Sequence, residues 1–213
     1  MKKLSIFLTL LFFVQITSGQ ETAVGQILKK NTFSVSYSPF SIEGMKADWE
    51  NTFYTRPSII EGEYGFAAVG YNNPKYSGIF ILSYSRRLVP KFEMTLNLGY
   101  EHLWKEWKIY NNPEWITEKM ERNHYLYCML NASWIYVSRK HVDLYSSLGL
   151  GTQIAWDNVA QLDPRIESVK GTRLAYQLCL FGVRVKLNDW CGFFGNLEAG
   201  YLGIFRCGLF ASW

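Results

Sequence analysis

Between Lys91 and Trp104 the side chains alternate in character. Phe92, Met94, Leu96, Leu98 and Tyr100 fall on one face; Lys91, Glu93, Thr95, Asn97, Gly99 and Glu101 fall on the other. A period of two belongs to a β-strand, in which successive side chains point to opposite faces. The stretch at the end of the sequence repeats the pattern, with Phe205, Cys207, Leu209, Ala211 and Trp213 opposite Arg206, Gly208, Phe210 and Ser212. A chain made of such segments forms a sheet with one apolar and one polar face. The fold then turns on which face meets the solvent.

Eight segments carry the alternation: Thr32–Tyr37, Tyr76–Arg87, Lys91–Trp104, His124–Tyr136, Val142–Trp156, Thr172–Leu187, Gly192–Gly200 and Gly203–Trp213. In the sixth the phase breaks near Phe181-Gly182, which predicts a bulge or bend and turns Arg184 and Lys186 to the polar side. Connections alternate in length. Those near Pro90, Arg139 and Asp189 are short, while Ser38–Lys75, Lys105–Asn123 and Asp157–Gly171 are long and read as loops; the last, at Tyr201-Leu202, is short. A separate strand at Tyr64–Tyr71 is the alternative and would make ten.

The start of the chain bears on the solvent. Met1-Lys2-Lys3 is basic, Leu4–Ile16 is apolar, and Thr17-Ser18-Gly19 is small. Residues 1–19 are therefore expected to be a secretory signal peptide, leaving 20–213 as one domain. The apolar run is shorter than the ~20 residues of a spanning helix. Aromatic residues make up 17% of the chain, enough for two belts. Tyr100, Trp104, Trp107, Tyr125 and Trp156 fall toward the long-loop rim; Tyr84, Trp134, Tyr136, Trp190 and Trp213 fall toward the short-turn rim. Amphipathic rings favour membrane–water interfaces. The expectation is an all-β, transmembrane, antiparallel up-and-down β-barrel of about eight strands, apolar outside and polar inside, with termini and short turns periplasmic. A soluble barrel would turn the same stripes inward. The net charge of +4 comes without a basic run of the kind nucleic-acid binding requires.

Three segments resemble small outer-membrane β-barrel proteins of Gram-negative bacteria: Lys30–Tyr37, Ser138–Gly151 and Gly192–Ile204. The final strand also resembles the assembly signal of such barrels, although Ala211-Ser212-Trp213 differs from their frequent Tyr-x-Phe ending. The resemblance implies a monomer in the cell outer membrane. Its implied partners are outer-membrane lipid, lipopolysaccharide and the barrel assembly machinery acting on the C-terminal strand. It implies no chemistry.

An eight-stranded barrel has an interior just wide enough to be filled by side chains. Glu93 and Asp143 are expected inside near the periplasmic end, with Arg184 and Lys186 at similar depth. Glu198 and Arg206 should face each other across the last hairpin. Together they read as an ion-pair plug, because isolated charges are costly in a low-dielectric interior. His102 and His124, with Glu101 adjacent, are the residues a lipid-modifying hydrolase or acyltransferase would use, but no serine is placed to complete a triad. His141 lies by a short turn. Cys128, Cys179, Cys191 and Cys207 lack metal-type spacing and read as small apolar residues, with disulfides the alternative. The mixed aromatic and charged segment Lys105–Asn123 could meet a partner or lipopolysaccharide phosphates. No catalytic, cofactor-binding or metal residue is assigned. The expected role is structural or surface-interacting, with a lipid A-modifying enzyme or a narrow channel as alternatives.

Overall fold

The structure, a computed structural model, describes residues 31–53, 58–62, 65–111, 114–157 and 171–213, with side chains for 31–47, 75–104, 122–156 and 171–213. The expected signal peptide lies outside the described residues. The elements are β1 (Asn31–Ser38), α1 (Ile42–Phe53), β2 (Ser58–Gly62), β3 (Gly65–Val89), β4 (Phe92–Asn111), β5 (Glu114–Ser138), β6 (Val142–Asp157), β7 (Gly171–Lys186), β8 (Cys191–Gly200) and β9 (Phe205–Ser212). Every pairing is antiparallel, each long strand bonds to the next, and β1 bonds to both β9 and β3. Eight strands thus close into a barrel, which leaves no open sheet edge around the ring. Among the described residues no helix is long and apolar enough to cross a membrane.

β2 is not a ninth stave. β1 pairs with β3 from Ile79 to Arg86, and β2 pairs with β3 from Gly65 to Val69. β4 holds the other edge of β3 from Val69 to Val89, and Val69 pairs with both Ser58 and Ile109, so β1 and β2 share one edge. They run in the same direction, as one stave interrupted by residues 39–57. The alternative of a separate strand at Tyr64–Tyr71 fails because Gly65–Tyr71 are the start of β3; Tyr64 lies outside the described residues. The two other expected long loops differ as well. Lys105–Asn111 and Glu114–Asn123 extend the paired strands β4 and β5, and Ser38–Lys75 contains α1, β2 and the start of β3. The third expected loop, Asp157–Gly171, has its ends in β6 and β7, and 158–170 lies outside the described residues.

Local chemistry explains α1. Pro39 disfavours continuation of β1, and Ser41 caps the helix by accepting a hydrogen bond from the Gly44 N–H at 2.9 Å. Glu43 adds an acid in the first turn. The helix folds inward, where Ala47 packs with Ile79, Ile81, Leu103, Tyr125, Tyr127, Met129 and Leu202. Leu202 comes from the β8–β9 turn, which also folds in. That turn depends on Gly203, whose φ of +102° is poorly tolerated by other residues. A Cβ there would also strike Ser38 Oγ and lie 2.6 Å from the Phe40 carbonyl oxygen.

The stripes face as the alternation requires. Phe33, Val35, Phe80, Leu82, Leu96, Leu98, Leu130, Leu148, Leu150, Leu174, Leu178, Leu197 and Leu209 are exposed, while Ser34, Ser83, Glu93, Asn97, Asn131, Gln153, Gln177 and Glu198 are buried. The bulge near Phe181 is present: Leu180 and Phe181 both face out, and the register shifts against β8 between Cys179 and Phe181. Gly182 follows on the inside, where a Cβ would come within 2.6 Å of the Tyr145 ring; its absence lets that ring cross the lumen.

Candidate functional site

The interior divides into two halves of different chemistry. In the half nearer the short turns, charges pair across the lumen. Arg184 on β7 donates to both carboxylate oxygens of Glu93 on β4, at 2.8 and 3.1 Å. Arg87 Nη2 on β3 donates to Asp143 on β6 at 3.2 Å, and its Nε lies 3.9 Å from Glu93. Lys186 Nζ and Ser138 Oγ donate to the other Asp143 oxygen at 2.9 and 2.7 Å. The result is a continuous chain, Arg184–Glu93–Arg87–Asp143–Lys186. β4 and β7, like β3 and β6, stand three staves apart in an eight-stave ring, so these bonds run from wall to wall. Tyr145 and Phe210 present their ring faces to the Arg184 guanidinium at 5.4 Å each, a cation–π contact that partly replaces water.

A second group lies on β8 and β9. Arg206 Nη2 meets Glu198 at 2.8 Å, and Arg206 Nη1 donates to Asn97 Oδ1 at 3.2 Å. Direct register places Asn196, not Glu198, opposite Arg206; Glu198 reaches the guanidinium diagonally. Glu198 also accepts from Gln177 and Asn196, each at 2.7 Å, and Asn196 in turn accepts from the Tyr145 hydroxyl at 2.7 Å. A cavity of about 30 Å³ remains between the groups, lined by Ser34, Ser83, Asn97, Asn131, Arg184 and Arg206 among others. It has room for one or two water molecules, and the buried Asn97 Nδ2, Asn131 Oδ1 and Arg206 Nε atoms, which have no protein partner, would bond to them.

The long-strand half is closed by α1 and Leu202, and its polar contacts hold α1 down. Glu101 accepts from the Ser41 hydroxyl and, at 2.9 Å, from the Tyr127 hydroxyl. Gln153 donates to Glu43 at 3.2 Å. Sequence reasoning missed Arg87, Glu43 and the role of Glu101. Arg87 was legible from its spacing after Ser83 and Ser85. Ser41 followed by Glu43 was a legible helix start that the loop reading passed over.

The histidines stand elsewhere. His102 and His124 are direct register partners on the outer face of β4 and β5. Their rings stack at 4.3 Å with 6° between planes, flanked by Trp104 at 4.1 Å from His102 and Trp156 at 5.7 Å from His124. The Tyr100 hydroxyl bonds to His124 Nδ1 at 2.8 Å. Ser77 Oγ accepts from the His102 backbone N–H and does not reach its ring. Glu101 points to the opposite face from both rings. Neither histidine is arranged as the base of a serine nucleophile. His141 is exposed beside its turn.

The expected interface aromatics lie in two bands. Tyr84, Trp134, Tyr136, Trp190 and Trp213 are at the short-turn end, and Tyr100, Trp104 and Trp156 at the other; all are exposed or half-exposed, whereas Tyr125 points inward into the apolar cluster under α1 and the side chain of Trp107 lies outside the described ones. The four cysteines are free thiols, with Cys179 inside and Cys128 and Cys207 exposed on the outer face. Among the described residues no group of three or more His, Cys, Asp and Glu could hold a metal ion. No protein-family model matches the chain, and no curated protein matches it.

Proposed function

We propose that the protein is an outer-membrane β-barrel with its short turns in the periplasm, its long strands rising outward, and a structural or surface-interaction role in the envelope. One observation carries this reading. Among the residues whose side chains are described, the outward positions of the wall include no Asp or Glu, and their basic residues lie at the margins of the apolar band, Arg86 at the short-turn end and Lys75 and Arg122 level with Trp104. Leu150 and Leu174, exposed to 58% and 73%, belong to a continuous apolar girdle that water would penalise.

Its height fits a bilayer. From Trp134 to His124 strand β5 advances ten residues, about 33 Å along the strand at ~3.3 Å per residue and about 25 Å of height at a tilt near 40°. An apolar band of about 25 Å bounded by aromatic residues is what lipid-exposed barrels carry. Ion pairs across one half of the lumen and α1 across the other favour a structural protein over a conduit.

Leu150→Arg tests the reading. At mid-band an outward arginine should cost about 2–4 kcal/mol of folding stability in a lipid bilayer. An exposed site on a water-soluble barrel would tolerate it within about 0.5 kcal/mol. Denaturant titrations in liposomes that give the smaller value, or a wild-type chain that fails to float with liposomes, would reject membrane insertion.

A further inference from the structure

The cavity in the lumen is lined by more positive charge than negative. Of about 30 Å³, it lies between the two ion-pair groups and takes lining residues from every stave of the ring. Its charged lining residues are Arg184, Arg206 and Glu93. Both Glu93 oxygens accept from Arg184, at 2.8 and 3.1 Å, so that pair is closed. The partner of Arg206 is Glu198, at 2.8 Å, which does not line the cavity and is also shared with Gln177 and Asn196 at 2.7 Å each.

Hydrogen-bond donors show the same bias. Asn97 and Arg206 are 0% and 6% exposed and in direct contact, Arg206 Nη1 donating to Asn97 Oδ1 at 3.2 Å. Ser83 Oγ donates to the same oxygen at 2.7 Å. The Asn97 amide is thereby fixed with its oxygen engaged and its Nδ2 left over. Asn97 Nδ2 and Arg206 Nε are both buried without a protein partner, and neither can accept a hydrogen bond. The hydroxyls of Ser34 and Ser133 line the same space and can rotate to donate. Asn131 Oδ1 is the one unpartnered acceptor in the lining, and a water sharing the cavity would bond to it. Phe194 lies 5.7 Å from the Arg206 guanidinium and Phe210 lies 5.4 Å from that of Arg184. These rings lower the local polarity and strengthen every charge interaction in the space.

Water gives the spare donors a lone pair but leaves the excess charge unanswered. A small anion supplies both, and buried charge without a counter-charge is costly. A chloride ion is little larger than a water molecule, so it fits a space for one or two waters, whereas sulfate, phosphate and organic acids do not. We propose that this cavity binds a single chloride ion, held by Asn97 Nδ2 and Arg206 Nε in the field of Arg184, as part of the plug. The site lies wholly in the lumen and does not depend on which solvent the outer face meets.

The test uses the full-length chain refolded in detergent and unfolded in urea. Sodium chloride is exchanged for sodium gluconate at constant ionic strength, because gluconate is too large for the cavity. With a Kd of about 20 mM, raising chloride from about 10 to about 300 mM should lower the unfolding constant about tenfold. Bromide should substitute for chloride, and crystals grown in bromide should show an anomalous peak between Asn97 and Arg206. Asn97→Asp replaces the Nδ2 donor with a fixed negative charge and should abolish the chloride response, while Glu101→Gln, in the other half of the lumen, should keep it. An unfolding constant indifferent to chloride, a response undiminished in Asn97→Asp, or bromide crystals with no peak in the cavity would overturn the site. A peak without a chloride response in solution means binding at crystal concentration only and overturns it too. The titration and the bromide map use the parent chain, so they decide the matter even if Asn97→Asp does not refold.

Discussion

Replacing Arg184 with Met should destabilise the barrel by about 3 kcal/mol, because the cost comes from what is left behind. The methionine keeps much of the stem volume beside Tyr145 and Phe210. Glu93, only 3% exposed, loses two charge-assisted bonds of 2.8 and 3.1 Å. Its nearest remaining cation is Arg87 Nε at 3.9 Å, too far for a hydrogen bond. Removing one partner of a buried pair typically costs about 3–5 kcal/mol, and Arg87 holds the loss near the lower bound. Glu93→Met should cost about the same, since Arg184 would then face only two rings. The double variant should lose about 1 kcal/mol, as apolar replacement of a whole buried pair is often close to neutral. The resulting coupling is about 5 kcal/mol. Urea titration of refolded protein, followed by tryptophan emission, would show each single variant with its midpoint lowered by about 1–3 M. Single variants within 1 kcal/mol of the parent, or a double variant equal to the sum of the singles, would mean that the lumen is wet and the pair is screened.

Two further perturbations probe other parts of the fold. Gly203→Ala should cost at least about 2 kcal/mol, from the positive φ and the clash with Ser38 and the Phe40 carbonyl, and should lower the urea midpoint accordingly. A spin label on Cys128 or Cys207, each in an otherwise cysteine-free variant in liposomes, should collide more often with dissolved oxygen than with a water-soluble nickel chelate, since both face outward; the reverse order would place those faces in water.

The strand pattern was legible because alternation is a local property, imposed by burial of one face. Every wall strand except β2 was found, and the bulge at Phe181 appeared in the sequence as a break in phase. Strand ends were less visible. β4 and β5 continue through Lys105–Asn123, where both faces carry mixed polar and aromatic residues, and pairing between the two strands takes over from burial as the organising force. The α1 insertion was hidden for another reason. Among its described side chains the inward face offers Ala47 and little else that marks a helical stripe, and Ser41 and Glu43 tie it to partners on β4 and β6. Arg87 and Glu101 had the right parity for the interior, but parity does not say which cation reaches which anion across the barrel.

The two halves of the lumen are filled differently because the chain reaches them differently. At the short-turn end the connections are tight, so only side chains rooted in the wall can cross, and long paired charges such as Arg184 and Glu93 span the gap. At the other end the interrupted stave frees residues 39–53 to fold inward, and a helix with Leu202 does the filling. The two closures share no residue. Replacing residues 42–53 with a Gly/Ser linker should therefore open the long-strand half and still give no current in planar bilayers, because the Arg184–Glu93–Arg87–Asp143–Lys186 chain remains. Adding Glu93→Ala, Arg184→Ala and Arg87→Ala should produce discrete conductance steps. Steps from the linker variant alone would show that the ion pairs do not seal the turn end, and that α1 is the only gate the barrel has.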